Sequence, residues 1–133
     1  MHVFVDTSAF YALLDRNDDC HAAASAKWSA LLDGADRLIT SNYVTVESIA
    51  LVQHRLGLHA VRALVDDLLG VVETLWVDKT DHEGALIALL TANRRGLSFV
   101  DCTSFQLMRR FRIHDAFAFD AHFDEQSRAR ESG

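Results

Sequence analysis

Three aspartates follow short apolar runs of strand-like composition, and their carboxylates could bind a cation or transfer protons. Asp6 follows residues 3–5, Asp101 follows "LSFV", and Asp120 follows "AFAF". Ligands of an open parallel sheet gather beyond the carboxyl ends of its strands, so these side chains would meet if the strands are neighbours. Any one of them alone is better explained by helix capping, in which an aspartate accepts hydrogen bonds from free N–H groups. Three in one chain favour a shared site.

Converging carboxylates require a positive partner. Each negative charge raises the pKa of its neighbours and so opposes their ionisation. A hard divalent cation, which prefers oxygen ligands, offsets this repulsion best. The three aspartates therefore predict a cation site at the edge of a sheet.

A fourth acid, Glu47, lies in the helical pattern "NYVTVESIALV". Its neighbours on the same helix face are Val44, Ala50 and Leu51, so its side chain leaves from the apolar side. A carboxylate there is unfavourable unless it is paired or bound to a metal. The alternative is that Glu47 reaches the rim of a buried helix or pairs with an arginine. Taken together with the aspartates, Glu47 is better explained as part of the same site.

The elements that must position these acids alternate along the chain. Strand-like runs at 2–6, 36–41, 71–78, 97–100 and 116–119 alternate with helical patterns at 7–15, 19–33, 42–56, 58–69, 80–95 and 102–112. This alternation predicts an α/β fold with a mainly parallel sheet and helices on both faces, an α/β/α sandwich. The length of 133 residues suits a single domain over 1–133, in which the polar tail 124–133 is expected to be frayed.

Composition narrows the classes of function. The net charge of −6 argues against broad, non-specific binding of nucleic acid, so any phosphate-binding surface must be local. No apolar run approaches the roughly 20 residues of a membrane span. The two cysteines, Cys20 and Cys102, are far apart and are expected to be free thiols in a reducing compartment. We therefore expect a cytoplasmic protein that does not enter a membrane.

Four segments, taken in order, resemble the motifs of the PIN-domain family of nucleases, and in particular the VapC-like toxins of bacterial and archaeal toxin–antitoxin pairs. They are "VFVDTSAFYALLD", "TSNYVTVESIAL", "LSFVDCTSFQLMRRFRI" and "HDAFAFDAHF". The resemblance implies a PIN-like, Rossmann-like sheet and a Mg²⁺- or Mn²⁺-dependent endoribonuclease with a small antitoxin partner. On these motifs, the catalytic and metal-binding acids would be Asp6, Glu47, Asp101 and Asp120, and Thr7 or Ser8 would be the accompanying hydroxyl.

Hydrolysis of a phosphodiester needs an activated water and neutralisation of charge, which carboxylate-held metal ions supply. Asp6 would be a direct or bridging ligand, Asp101 a second ligand, and Asp120 a ligand through water. Glu47 would orient or deprotonate the attacking water, or ligate a second ion. The hydroxyl would bond a carboxylate or contact the phosphate. The expected products carry 5′-phosphate and 3′-hydroxyl ends.

Other classes of protein fit less well. Ser8 stands where an aspartyl-phosphate phosphatase needs a second acid, and neither an HExxH nor a GxSxG motif is present. Two alternatives stay open: a PIN-domain protein of RNA processing that is not a toxin, and a catalytically silent interaction module. The helical patterns in 42–69 carry more apolar surface than a sheet face needs, so part of it could form a homodimer seam or an antitoxin groove. We expect a homodimer.

Overall fold

The computed structural model of the protein describes residues 1–123, and the predicted tail 124–133 lies outside the described residues. The strands of this part of the chain are β1 (His2–Val5), β2 (Arg37–Ser41), β3 (Glu73–Leu75) and β4 (Asp115–Phe117). Its α-helices are α1 (Thr7–Leu14), α2 (His21–Asp33), α3 (Asn42–Leu56), α4 (Leu58–Ala63), α5 (Lys79–Ala92) and α6 (Phe99–Arg110). After α4 the helical backbone widens into a π-turn over Leu64–Leu68 and then tightens over Leu69–Val71.

The four strands form one parallel sheet in the order β3-β2-β1-β4. The chain steps outward from β1 to β3 and then returns past β1 to β4. With right-handed crossovers, this path places α1 to α4 on one face and α5 and α6 on the other. The predicted parallel sheet flanked by helices is thereby confirmed. The direction of the connections reverses between β1 and β4, which is the position where open α/β sheets bind their ligands.

The central strand β1 is apolar because both of its faces are covered. Val3, Phe4 and Val5 are buried, as expected for a parallel strand between two layers of helices. The core around it also contains Phe10 from α1 and Phe117 from β4, both fully buried. This packing fixes the carboxyl end of β1, where Asp6 lies.

The prediction of a strand at 97–100 is wrong. Ser98 is instead the N-cap of α6, and its hydroxyl accepts a hydrogen bond from the N–H of Asp101 at 3.0 Å. The Asp101 carboxylate accepts in return from the N–H of Ser98 at 3.4 Å. This reciprocal pair is a capping box, and the spacing Ser-x-x-acid that signals it was present in the sequence. Asp101 therefore lies in the first turn of a helix and not at the end of a strand.

Other helices and strands begin or end within a few residues of the predicted positions. Helix α2 begins at His21 and not at residue 19, because the Asp18 carboxylate closes a turn onto the N–H of Cys20 just before it. Ser41 caps α3, since its hydroxyl accepts a hydrogen bond from the N–H of Val44. Strand β3 is shorter than the predicted 71–78, since it spans only Glu73–Leu75.

An ion pair between a buried carboxylate and a partly exposed arginine joins the start of α5 to the end of α6. The carboxylate of Asp81 is 2% exposed and accepts a hydrogen bond from Nη1 of Arg110 at 2.6 Å. The same nitrogen lies 3.6 Å from the carboxylate of Asp78. The neighbouring Arg109 is exposed and donates a hydrogen bond to Oε1 of Gln106 at 3.4 Å.

Replacing Arg110 with leucine should lower the free energy of unfolding by about 2 kcal/mol, because it leaves the Asp81 carboxylate buried without its charged partner. Arg109→Leu on the same helix is the matched control and should change stability by less than about 0.5 kcal/mol. Urea unfolding of the two variants measures both values. If the free energy of unfolding falls equally in both variants, the ion pair between Arg110 and Asp81 does not stabilise the protein specifically.

Candidate active site

Asp6 is the most buried acid at the carboxyl edge of the sheet. It follows β1 directly, caps α1 and is 3% exposed. Its Oδ2 accepts hydrogen bonds from the N–H of Ser8 at 3.1 Å and from the hydroxyl of Ser8 at 2.7 Å. Its Oδ1 is buried and has no hydrogen-bond partner among the described residues. Both explanations considered for this position therefore apply, since one oxygen caps a helix and the other is available to a ligand.

The two hydroxyl residues after Asp6 have different roles. Ser8, in addition to its bonds to Asp6, accepts a hydrogen bond from the N–H of Phe119 at 2.9 Å. Thr7 points the other way: it donates to the carbonyl of Val44 at 3.5 Å and accepts from the hydroxyl of Ser48 at 3.1 Å. Ser8 is thus the hydroxyl beside the carboxylate, and it also links the ends of β1 and β4. Thr7 joins α1 to α3.

Asp101 is placed at the site by the first turn of α6. Burial raises the pKa of its carboxyl group, and the negative charges of Asp120 and Glu47 add to the rise. The hydrogen bonds with Ser98 oppose it. Asp101 therefore interacts electrostatically with both of these acids, one from the segment after β4 and one from α3.

Asp120 and His122 complete the cluster from the segment that follows β4. One ligand atom each from Asp101, Asp120 and His122 lie within 4.8 Å of one another. A turn positions the pair, since Asp120 Oδ1 accepts from the N–H of His122 at 2.8 Å, and Nε2 of His122 lies 3.1 Å from the carbonyl of Gly96. The acids predicted from the sequence include Asp120, and His122 was not among the predicted site residues. The structure places it among the acids.

The electrostatics of Asp6 connect it to the same group. Burial raises the pKa of Asp6 to about 6, and the charge of Asp101 adds to this rise against the hydrogen bonds from Ser8. Glu47 is half-buried on α3 and acts on Asp101 through its charge. All four acids named from the sequence thus belong to one electrostatically linked cluster at the switch point of the sheet. Their roles in catalysis and metal binding remain predictions.

The cluster fits a divalent cation. A buried carboxylate oxygen without a partner is unfavourable unless something positive meets it. Asp101 and Asp120 supply further carboxylate oxygens close by, and oxygen donors are the preferred ligands of Mg²⁺ and Mn²⁺. The donor set therefore suits a hard cation better than a soft one.

A parallel sheet whose switch point gathers four acids in this way is the architecture of a PIN domain, and the PIN domain family model matches residues 3–129. The chain belongs to the PIN-domain family. Among curated proteins it is 37% identical over 122 residues to VapC20 of Mycobacterium tuberculosis, named a 23S rRNA-specific endonuclease, in strains CDC 1551 / Oshkosh and ATCC 25618 / H37Rv. The match covers 91% of each chain.

Solved structures agree with this assignment. The crystal structure of Mycobacterium tuberculosis VapC20, described as a sarcin–ricin loop cleaving toxin, superposes with a TM-score of 0.83 at 35% identity, covering 92% of this chain and 93% of that one. VapBC2 from Rickettsia felis, bound to a DNA fragment from its promoter, matches with a TM-score of 0.60 at 12% identity, covering 90% and 100%. At that low identity the second likeness supports the fold alone.

The raised pKa of Asp6 should make the metal-free protein less stable as the pH rises. Its folded pKa of about 6 lies above the ordinary value of 3.8, so the folded state holds the proton more tightly and stability is lost as the pH rises through this window. Ionisation of Asp6 alone should lower the free energy of unfolding by at most about 3 kcal/mol across this window. Urea unfolding in EDTA at about pH 4 and about pH 8 measures it, with Asp6→Asn removing this part of the slope.

Asp115→Asn is the control for this experiment, because Asp115 is exposed at the start of β4. It should retain the wild-type dependence on pH. A slope that is the same in the wild type and in Asp6→Asn would show that burial of Asp6 does not strain the folded protein.

Proposed function

We propose that this protein is a Mg²⁺- or Mn²⁺-dependent endoribonuclease and the toxin of a VapBC-type toxin–antitoxin pair, acting in the cytoplasm as a single PIN domain. The observation that carries the proposal is the buried Oδ1 of Asp6, which has no hydrogen-bond partner among the described residues. It lies in a cluster in which the charge of Asp101 raises the pKa of Asp6, and the charges of Asp120 and Glu47 raise the pKa of Asp101. Such a cluster is unfavourable in itself, which supports a functional role for it.

Asp6, Asp101 and Asp120 would hold the cation, and Glu47 would face the attacking water. When bound, the cation supplies an activated water and neutralises charge on the phosphate. The chain itself supplies the geometry. Ser8 fixes one oxygen of Asp6 and leaves the other for the ligand, and the capping box with Ser98 fixes the backbone that carries Asp101.

RNA is the proposed substrate because of the relatives. VapC20 is named as an rRNA-specific endonuclease, and this chain matches it over almost its whole length. Hydrolysis at such a site would leave 5′-phosphate and 3′-hydroxyl ends. We infer an antitoxin partner from the VapC-like sequence, which is 37% identical to VapC20 over 122 residues.

Purified protein should cut RNA in the presence of Mn²⁺ or Mg²⁺, and EDTA should abolish cleavage. Asp6→Asn and Asp101→Asn should each lower the rate by about 100-fold or more, because removal of a supporting residue around a metal already costs roughly 10–100-fold. The rate is measured on labelled RNA, and sequencing of the cut ends tests the predicted end chemistry.

Asp115→Asn is again the control and should cleave at the wild-type rate, since this acid lies at the opposite end of β4 from the cluster. Circular dichroism and urea unfolding must show that both aspartate variants are folded. Folded Asp6→Asn or Asp101→Asn protein that still cleaves RNA at the wild-type rate would exclude the proposed roles.

The exposed apolar surface of α5 supports a homodimer. Leu86, Ile87 and Leu90 share one face of this helix, and the last two are 65% and 70% exposed. The apolar residues of 42–69 are used in part for the core: Val44, Val52, Leu64 and Leu68 are buried, and Val46, Leu58 and Val65 are exposed. We assign the proposed seam to α5 rather than to 42–69, because the exposed apolar residues of α5 share one face of one helix.

Leu90→Glu should convert a dimer into a monomer, because a charge in an apolar interface has no partner. Sedimentation velocity measures the mass. Leu58→Glu is the matched control, since Leu58 is 61% exposed on another helix and should leave the mass unchanged. If Leu90→Glu sediments like the wild type, α5 is not the seam.

A further inference from the structure

An open apolar depression adjoins the acid cluster between α3 and α6. It is lined by Tyr43, Val46, Glu47 and Val100 and has a volume of about 280 Å³. Val46 is 69% exposed although it is one of the more apolar residues of α3. A solvent-facing site of this size lies close to the lower end of the volumes that hold small ligands, roughly 300 Å³.

The depression and the acid cluster share a wall. Glu47 lines the depression and also acts on the carboxyl group of Asp101 through its charge. Val100 lines it from α6 and directly precedes Asp101 in the chain. If the part of a ligand that reacts lies at the acid cluster, the neighbouring part of the same ligand lies over the depression.

Tyr43, the aromatic residue that lines the depression, is held in place by its neighbours. The ring of Tyr43 meets His82 edge-to-face at 5.8 Å and Phe99 at 5.9 Å, and His82 and Phe99 meet at 5.0 Å. A hydrogen bond between the Tyr43 hydroxyl and Nδ1 of His82 adds to these contacts. Because Tyr43 is fixed before a ligand arrives, a group that packs on it loses little free energy to ordering.

Charge and polarity select the kind of group that fits. Glu47 and the nearby aspartates repel a second phosphate, so the depression does not suit the RNA backbone. An uncharged flat ring suits it, because nucleobases stack on aromatic side chains with a gain of roughly 1–3 kcal/mol each. A base can reach a protein surface in this way only where it is unpaired.

We propose that this depression binds the base of an unpaired nucleotide next to the phosphate that is cut. The inference rests on the proposed function and deepens it. The Tyr43 hydroxyl is already bonded to His82, and the rest of the lining is apolar apart from Glu47. The depression therefore positions the strand and requires it to be unpaired, and it discriminates weakly between bases.

The first measurement uses a single-stranded RNA of about 12 nucleotides that spans a bond cut by the wild type. Its nucleotides are replaced one at a time by abasic ribose. One abasic position beside the cut should lower kcat/KM by roughly tenfold, as expected from the loss of one stacked base. No effect at any flanking position would overturn the proposal.

The second measurement uses Val46→Trp, which fills the depression from an exposed position and should leave the fold intact. It should cleave intact RNA roughly tenfold more slowly and show no further loss with the abasic RNA. Val71→Trp is the matched control, an exposed valine at the opposite edge of the sheet that should keep the full abasic effect. The proposal is overturned if Val46→Trp still shows the full abasic effect. It is also overturned if Val46→Trp sediments with a smaller mass than the wild type, because the depression would then be an interface between two copies of the chain.

A binding measurement separates this inference from the proposed function. Short single-stranded RNAs carry 2-aminopurine at one position each, so that no cut bond needs to be known, and their fluorescence is followed with Asp6→Asn protein, which binds without cutting. Quenching that is lost when Val46→Trp is added to Asp6→Asn, and kept when Val71→Trp is added instead, supports base binding, even if the wild type cuts no RNA and the nuclease proposal fails. Cleavage by the wild type without such quenching rejects the base site alone.

Discussion

Burial of the Asp6 carboxylate is the constraint on which this edge of the sheet depends. A carboxylate that is 3% exposed must be stabilised from several sides, and here Ser8 bonds only one of its two oxygens. The other oxygen is held in a protein interior that disfavours its charge, and Asp101 adds further repulsion. The remaining elements converge on this point: α6 contributes Asp101, α3 contributes Glu47, and the segment after β4 contributes Asp120. The fold brings together charges that would otherwise stay apart.

The positions of these groups are set by rigid parts of the chain. Asp6 follows a fully packed central strand, and Asp101 lies within a capping box that orders the first turn of its helix. The same bonds that start the two helices therefore also orient the site, so capping and function are not alternatives here. Ser8 extends this arrangement across the sheet, because its hydroxyl contacts both the Asp6 carboxylate and the backbone of Phe119.

Much of this arrangement could be predicted from the sequence, and the failures have physical reasons. The parallel sheet followed from apolar runs alternating with helical patterns, and Asp6 was placed correctly at the end of a strand. Asp101 was assigned to the wrong element because "LSFV" has strand composition, and the local Ser98–Asp101 capping pair outweighed it. Whether Thr7 or Ser8 meets the carboxylate depends on how α1 is rotated against α3, which spacing does not determine. His122 reaches the acids through a turn and a contact with Gly96 that only the tertiary structure creates.

The order of the strands along the chain has a consequence for synthesis of the protein. Asp6 and Asp120 lie far apart in the sequence, and β4 can pair with β1 only after the chain between them has left the ribosome. Contacts of such wide separation form late in folding. A nascent or prematurely terminated chain that lacks the last strand also lacks part of the acid cluster. The acid cluster is therefore complete only after the segment that carries Asp120 has left the ribosome and β4 has paired with β1.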